Sequence, residues 1–176
     1  MLEEIVISGF GGQGLLVIGR LLADAGMIED RNVVWLPSYG AEKRGGTCSC
    51  HITISNEKIG ALYIKRPTAA IVMSPSALTR LEPLVKSDGI LVINSSLIAD
   101  KVGRNDIRTV YVPANELAAE VKDDSVANLV VLGALIAHQP ITARASIITA
   151  INTLFSKSGT MLEANTKAFL KGYTQE

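Results

Sequence analysis

The first residues that could do chemistry form a glycine-rich loop near the amino terminus. The loop fits the pattern G-x-G-x-x-G and contains Gly9, Gly11, Gly12, Gln13 and Gly14. A short apolar run predicts a strand before it, and apolar residues at helical spacing predict a helix from Gln13 to Ile28 after it. Such a loop directs backbone N–H groups and the positive end of a helix toward an anion. We therefore predict that these five residues bind a cofactor, with the N–H groups of Gly11, Gly12 and Gln13 free to donate.

Two other interpretations of the glycine loop stay open. A nicotinamide-binding fold usually has an acidic residue at the end of its second strand, whereas here Val33–Leu36 leads into Pro37 and Ser38. That absence disfavours a stand-alone dinucleotide-dependent oxidoreductase. The glycines could also serve only to let a helix and a strand pack closely, which would leave a docking scaffold that binds no small molecule.

A second loop follows the second predicted strand and shares its edge of the sheet with the glycine loop. Its glycines permit backbone at positive φ, and the guanidinium of Arg44 suits a carboxylate or phosphate. A solvated loop in which Glu42 pairs with Arg44 is the simpler alternative. The residues that we predict to bind a cofactor here are Ser38, Tyr39, Gly40, Glu42, Arg44, Gly45 and Gly46.

Strands that alternate with helices must position both loops. The pattern predicts an α/β fold: a Rossmann-like, mostly parallel sheet with helices on both faces. Thr47–Ile54 and Lys58–Ile64 are predicted to form an antiparallel hairpin insertion. The length suits a single domain over residues 1–176.

Composition excludes several functional classes. The formal net charge is zero, which disfavours binding to nucleic acid or to an anionic membrane. The amino terminus is acidic and the longest apolar run, Leu129–Ala137, is too short to span a bilayer, so we expect a soluble cytoplasmic protein. Cys48 and Cys50 are predicted to point to one buried face of a strand, with His51 on the other. No metal site is predicted.

Several segments together resemble the gamma-subunit family of 2-oxoacid:ferredoxin oxidoreductases. They extend from the amino terminus to about residue 138, and the Pro-Ser-Tyr-Gly-Ala-Glu form is most similar to the 2-oxoglutarate and branched-chain branches. Lys43 stands where an uncharged residue is common in the family. The segments are 9–14, 35–47, Asn94-Ser95-Ser96, Val112-Pro113-Ala114-Asn115 and 127–134.

The resemblance implies an accessory subunit that is not active alone. The complex would oxidatively decarboxylate a 2-oxoacid, with 2-oxoglutarate as the best candidate, to its acyl-CoA and reduce ferredoxin. Thiamine diphosphate, Mg²⁺ and iron–sulfur clusters would lie on alpha and beta subunits and on a ferredoxin-like delta subunit, if one is present. Two cysteines cannot build a four-cysteine cluster site, and no catalytic residue is predicted in this chain. Coenzyme A is the ligand that its loops could contact.

Overall fold

A single mixed sheet forms the centre of the computed structural model, which describes residues 1–39 and 46–175. The strand order is β2-β3-β1-β4-β5-β6. β1, β4, β5 and β6 run parallel, whereas β3 pairs antiparallel with both β1 and β2. The strands are β1 (Leu2–Phe10), β2 (Asn32–Tyr39), β3 (Thr47–Ser55), β4 (Ala69–Val72), β5 (Ile90–Asn94) and β6 (Arg108–Val112).

The predicted fold class is confirmed, but the predicted hairpin is wrong in its second strand. Residues 58–64 form no strand. The reason is that both edges of β3 are already occupied, by β1 on one side and β2 on the other. The segment instead crosses the sheet as a strap, with Ile64 buried in the same cluster as Val6. The antiparallel pair at the sheet edge is β2–β3.

Helices cover the two faces of the sheet unequally. One face carries the larger core, to which α1, α3, α4, α5 and α6 contribute. The other face carries α2 and the strap. The helices are α1 (Leu15–Ile28), α2 (Pro75–Leu81), α3 (Ala114–Glu120), α4 (Ala127–His138), α5 (Arg144–Leu154) and α6 (Gly159–Tyr173), with 3₁₀ turns at Glu82–Leu84 and Asp124–Val126.

The alternation of β1 sets the two cores. Ile5 and Ile7 are fully buried on the larger side, and Val6 is buried on the smaller side. Because both faces of β1 are covered, its sequence is a continuous apolar run and not an alternation of apolar and polar residues.

Helix α4 is apolar on all sides because it is enclosed between the sheet and α6. Two glycines allow the helices to touch through their backbones. A Cβ at Gly133 would overlap the carbonyl oxygen of Phe169, and one at Gly172 would overlap that of Val130. Within the described residues, no helix combines the length and apolarity needed to cross a membrane.

Candidate functional site

The two predicted loops start from the same edge of the sheet. β3 lies between β1 and β2, with Phe10 opposite Thr47 and Tyr39 opposite Cys48. The N–H of Gly11 donates to the carbonyl oxygen of Gly46 at 3.0 Å. The beginning of the glycine loop and the end of the second loop are therefore in contact. Ser38 and Tyr39 are exposed beside them.

Part of the second loop lies outside the described residues. The predicted roles of Gly40, Glu42, Arg44 and Gly45 therefore stay predictions.

Two glycines of the first loop have positive φ, 93° at Gly12 and 69° at Gly14. Gly14 precedes α1, and a Cβ there would overlap the side-chain nitrogen of Asn128. A Cβ at Gly12 would meet no atom within 4 Å. Close packing therefore explains Gly14, whereas Gly12 faces open space and is required only by its backbone conformation.

The side chain of Gln13 holds the loop closed. Its Oε1 accepts a hydrogen bond from the N–H of Phe10 at 2.7 Å, and its Nε2 donates to the carbonyl oxygen of Met73 at 2.8 Å. A Cβ at Gly9 would collide with this same Gln13 side chain. Gly9 and Gln13 thus shape the loop from within.

The prediction of three free N–H groups is wrong in two of its three positions. The N–H of Gly11 is used by Gly46, and that of Gln13 bonds the carbonyl oxygen of Phe10 at 3.4 Å, because the turn closes on itself. Among the described residues, the N–H of Gly12 has no partner, and neither have those of Leu15 and Leu16 in the first turn of α1. The donors without a partner thus lie at Gly12 and at the start of the helix.

A cleft of about 170 Å³ opens between the glycine loop and the amino terminus of α4. Ligand pockets for whole small molecules usually measure about 300–1,000 Å³, so this cleft fits only part of a cofactor. Its lining consists of Gly12, Gln13, Met73, Leu97, Asn115, Asp124, Ser125, Ala127 and Asn128.

Two asparagines that the sequence did not mark as site residues, Asn115 and Asn128, line the cleft, and a third, Asn94, holds Asn115 from behind. Asn94, fully buried at the end of β5, donates to Asn115 Oδ1 at 2.8 Å. Its own Oδ1 accepts from the N–H of Ser96 at 3.2 Å. Asn128 donates from Nδ2 to the carbonyl oxygen of Gly14 at 3.0 Å, and its Oδ1 has no partner among the described residues. The available signal was a polar residue at the end of, or inside, an apolar run.

Burial disfavours the charged forms of three titratable groups on β3, and so keeps the two cysteines away from the reactive thiolate form. Burial raises the pKa of the Cys50 thiol to about 12 and also raises that of Cys48. Burial lowers the pKa of His51, on the opposite side of β3. The predicted burial of both cysteines is confirmed. Within the described residues, no three His, Cys, Asp or Glu side chains are grouped to hold a metal ion.

The geometry also disfavours a nicotinamide site. In a dinucleotide-binding fold the second strand lies beside the first and brings an acid to the ribose. Here the antiparallel β3 separates β2 from β1, and β2 ends in Pro37, Ser38 and Tyr39.

Comparisons with known proteins give one consistent result. The profile of the family described as pyruvate ferredoxin/flavodoxin oxidoreductase matches residues 4–175. The 2-oxoglutarate synthase subunit KorC of Methanocaldococcus jannaschii is 35% identical over 98% of this chain and 93% of its own. The crystal structure of a keto/oxoacid ferredoxin oxidoreductase gamma subunit from Geobacter sulfurreducens superposes with a TM-score of 0.81 at 29% identity, covering 97% of this chain and 96% of that one.

Some relatives are much longer. The ketoisovalerate oxidoreductase subunit VorA of Methanothermobacter marburgensis is 36% identical over 76% of this chain, but the match spans only 28% of its length. The resemblance predicted from the sequence motifs is nevertheless confirmed by the family profile and the full-length relatives. The chain belongs to the pyruvate ferredoxin/flavodoxin oxidoreductase family.

Proposed function

We propose that this chain is the gamma-type subunit of a multi-subunit, thiamine-diphosphate-dependent 2-oxoacid:ferredoxin oxidoreductase. The observation that carries the proposal is the match, over nearly the whole chain, to proteins of similar length that are named as single subunits. In the longer relatives a similar region occupies about a quarter of one chain. Fusion of a similar region to the rest of a longer chain in those relatives favours a region that works in contact with other parts of a complex.

The residues of this chain do not fit the redox cofactors of such a complex. Its two cysteines lie buried in one strand, and a four-iron cluster needs four thiolates. We infer that iron–sulfur clusters, thiamine diphosphate and Mg²⁺ belong to the alpha, beta and ferredoxin-like delta subunits. Those subunits would pass the electrons to ferredoxin.

The proposed reaction joins the acyl group of the decarboxylated 2-oxoacid to coenzyme A. We propose 2-oxoglutarate as the substrate, supported by the full-length relative named 2-oxoglutarate synthase. Relatives named for pyruvate and ketoisovalerate mark the alternatives. The choice among these acids would be made where the acid binds, on the partner chains.

Coenzyme A is the ligand that we assign to the cleft and its rim. Donors at Gly12 and at the first turn of α1 favour a phosphate group. Ser38, Tyr39 and Gly46 border the same edge, and Arg44 would add a cation oriented by Glu42. Because the cleft is too small for the whole molecule, partner subunits would complete the site.

A docking scaffold that binds no small molecule is the second candidate. It is favoured by the internal use of the loop residues: close packing requires Gly9 and Gly14, the Gln13 side chain closes the loop, and the N–H of Gly11 bonds Gly46. The exposed Tyr39 at the loop edge suits a protein contact as well as a ligand. In both cases we propose that this edge faces the partner subunits.

Purification of the tagged chain from its native cell tests the proposal. We expect it to bring down chains with four-cysteine cluster motifs and a thiamine-binding chain, in fixed ratio. Recovery of the chain alone, or with unrelated proteins, under conditions that preserve other complexes would contradict the proposal.

A further inference from the structure

The face of the sheet that carries α2 is only partly covered. α2 packs over β4 and β1. The strap begins beside Thr53 and Ser55 at the end of β3 and packs Ile64 into the core that contains Val6 of β1. Leu36 of β2 points to this side, opposite His51 of β3, and both are only half-buried. A sheet whose outer strands expose apolar groups on one face is incomplete as a layered structure.

The strap adds large apolar groups to this face. Ile64 anchors it in the core shared with α2. The two residues before that anchor point outward: Leu62 is 56% exposed and Tyr63 is 78% exposed. The chain has only eight aromatic residues, so an aromatic ring in solvent needs a reason. Tyrosine is enriched in the centres of protein interfaces.

Positive charge flanks these apolar groups along the strap, and one further cation lies on the same face of the sheet. The strap between residues 57 and 66 contains three cations and one acid, although the whole chain is neutral. Lys65 and Arg66 form no ion pair with any described residue. Arg80 of α2, on the same face of the sheet, donates to Ser8 Oγ at 2.5 Å, and it too has no carboxylate partner in the described part of the chain. Its guanidinium is therefore held in place with donors to spare.

We propose that this outer patch, made of the exposed Leu62 and Tyr63 with Lys65 and Arg66 beside them on the strap, is a docking surface for a neighbouring subunit that presents an apolar centre rimmed by carboxylates. The charge pattern selects the partner, because unpaired cations around an apolar centre are complementary to acidic groups around another one. The inference rests on the proposed function for its partner, a subunit of the same complex. It adds a second surface, distinct from the edge with the two loops.

Charge reversal in the co-expressed complex tests the patch. Lys65→Glu combined with Arg66→Glu, and separately Tyr63→Ser, should each weaken retention of this chain in the complex by about tenfold or more. The measurement is the fraction of chain that co-elutes with its partners as the complex is diluted. Lys157→Glu and Met161→Ser are the matched controls, since both positions are exposed in or next to the turn between α5 and α6. The controls should assemble like the wild type.

A second measurement does not depend on the fold of a variant. A photo-crosslinking phenylalanine analogue at position 63 of the intact complex should capture an Asp- or Glu-rich segment of one partner chain. Capture of no partner, together with normal retention of both patch variants, would overturn the docking surface. Normal assembly of the variants with binding of the wild-type complex to phosphatidylglycerol vesicles would assign the patch to lipid and overturn it as well.

The two proposals fail in different ways. If the wild-type chain assembles with its partners, the patch variants do so equally well and the probe at position 63 captures no partner chain, only the patch is wrong. If the wild-type chain assembles with no thiamine-binding chain, the proposed function itself has failed.

Discussion

Asn128 and Gly14 join the first turns of two helices that are far apart in the sequence. The side-chain nitrogen of Asn128, in the first turn of α4, donates to the carbonyl oxygen of Gly14, the residue before α1. Asn128 is only 4% exposed. The contact fixes both helix termini around the cleft, so the loop geometry depends on a residue 114 positions away.

Gly14→Ala should destabilise the protein more than Gly12→Ala. Both positions have positive φ, which costs about 1–3 kcal/mol for a residue with a side chain. Only at Gly14 would the new Cβ also overlap Asn128, which adds roughly 1–3 kcal/mol of overpacking. Urea unfolding followed by circular dichroism measures both changes. Equal losses of stability would contradict this packing of the loop.

Arg44→Ala should raise the apparent KM for coenzyme A in the assembled complex. Loss of one charge-assisted hydrogen bond costs about 1.5–3 kcal/mol, or roughly ten- to a hundredfold in affinity. Kinetics with coenzyme A varied at saturating 2-oxoacid give the answer, with Arg20→Ala on the exposed side of α1 as control. If Arg44 only pairs with a partner subunit, the complex would dissociate or lose activity equally at all coenzyme A concentrations. An unchanged KM for coenzyme A would contradict the proposal that the second loop binds this ligand.

The thiols of Cys48 and Cys50 should be inert in the native protein. Burial raises both pKa values, and the thiolate is the reactive form. At pH 8, Ellman's reagent should release colour slowly from the folded chain and two equivalents rapidly after unfolding in urea. Rapid reaction of either cysteine in the folded state would show that β3 is not buried as described.

Asp106 should contribute to stability at neutral pH and lose that contribution in acid. Its hydrogen bonds with Arg104 and Ser87 hold its pKa well below the usual range. A group whose pKa is lowered by folding stabilises the protein above its unfolded pKa, near 3.9, and stops doing so as the pH falls through the folded value. The difference in urea midpoint between wild type and Asp106→Asn should therefore be present at pH 6 and shrink below about pH 4. Arg104→Met should give the same trend, and a difference that is constant with pH would contradict it.

Local patterns predicted the elements that carry the site. The apolar run before the glycine loop and the helical spacing after it are confirmed as β1 and α1, because both patterns are contained within about thirty residues. The shared edge of the two loops also followed from strand order along the chain. The family resemblance was available from the motifs alone.

Contacts between distant segments could not be predicted in this way. The prediction of a strand from Lys58 to Ile64 was wrong because β3 already pairs on both sides, with β1 and with β2. A short stretch of sequence indicates pairing between neighbouring strands only. The hydrogen bond from Gly11 to Gly46, which removed a predicted free donor, is equally non-local. The role of Asn128 was hidden for the same reason, since a polar residue in an apolar helix does not reveal its partner.

The central claim is that this chain works only as a subunit. The direct measurement is 2-oxoacid oxidation with coenzyme A and an artificial electron acceptor, using the purified chain alone and the same chain combined with its co-purifying partners. We expect no activity and no iron–sulfur absorption from the single chain, and coenzyme A-dependent activity from the combination. Robust oxidation by the chain alone, free of other subunits, would contradict the account.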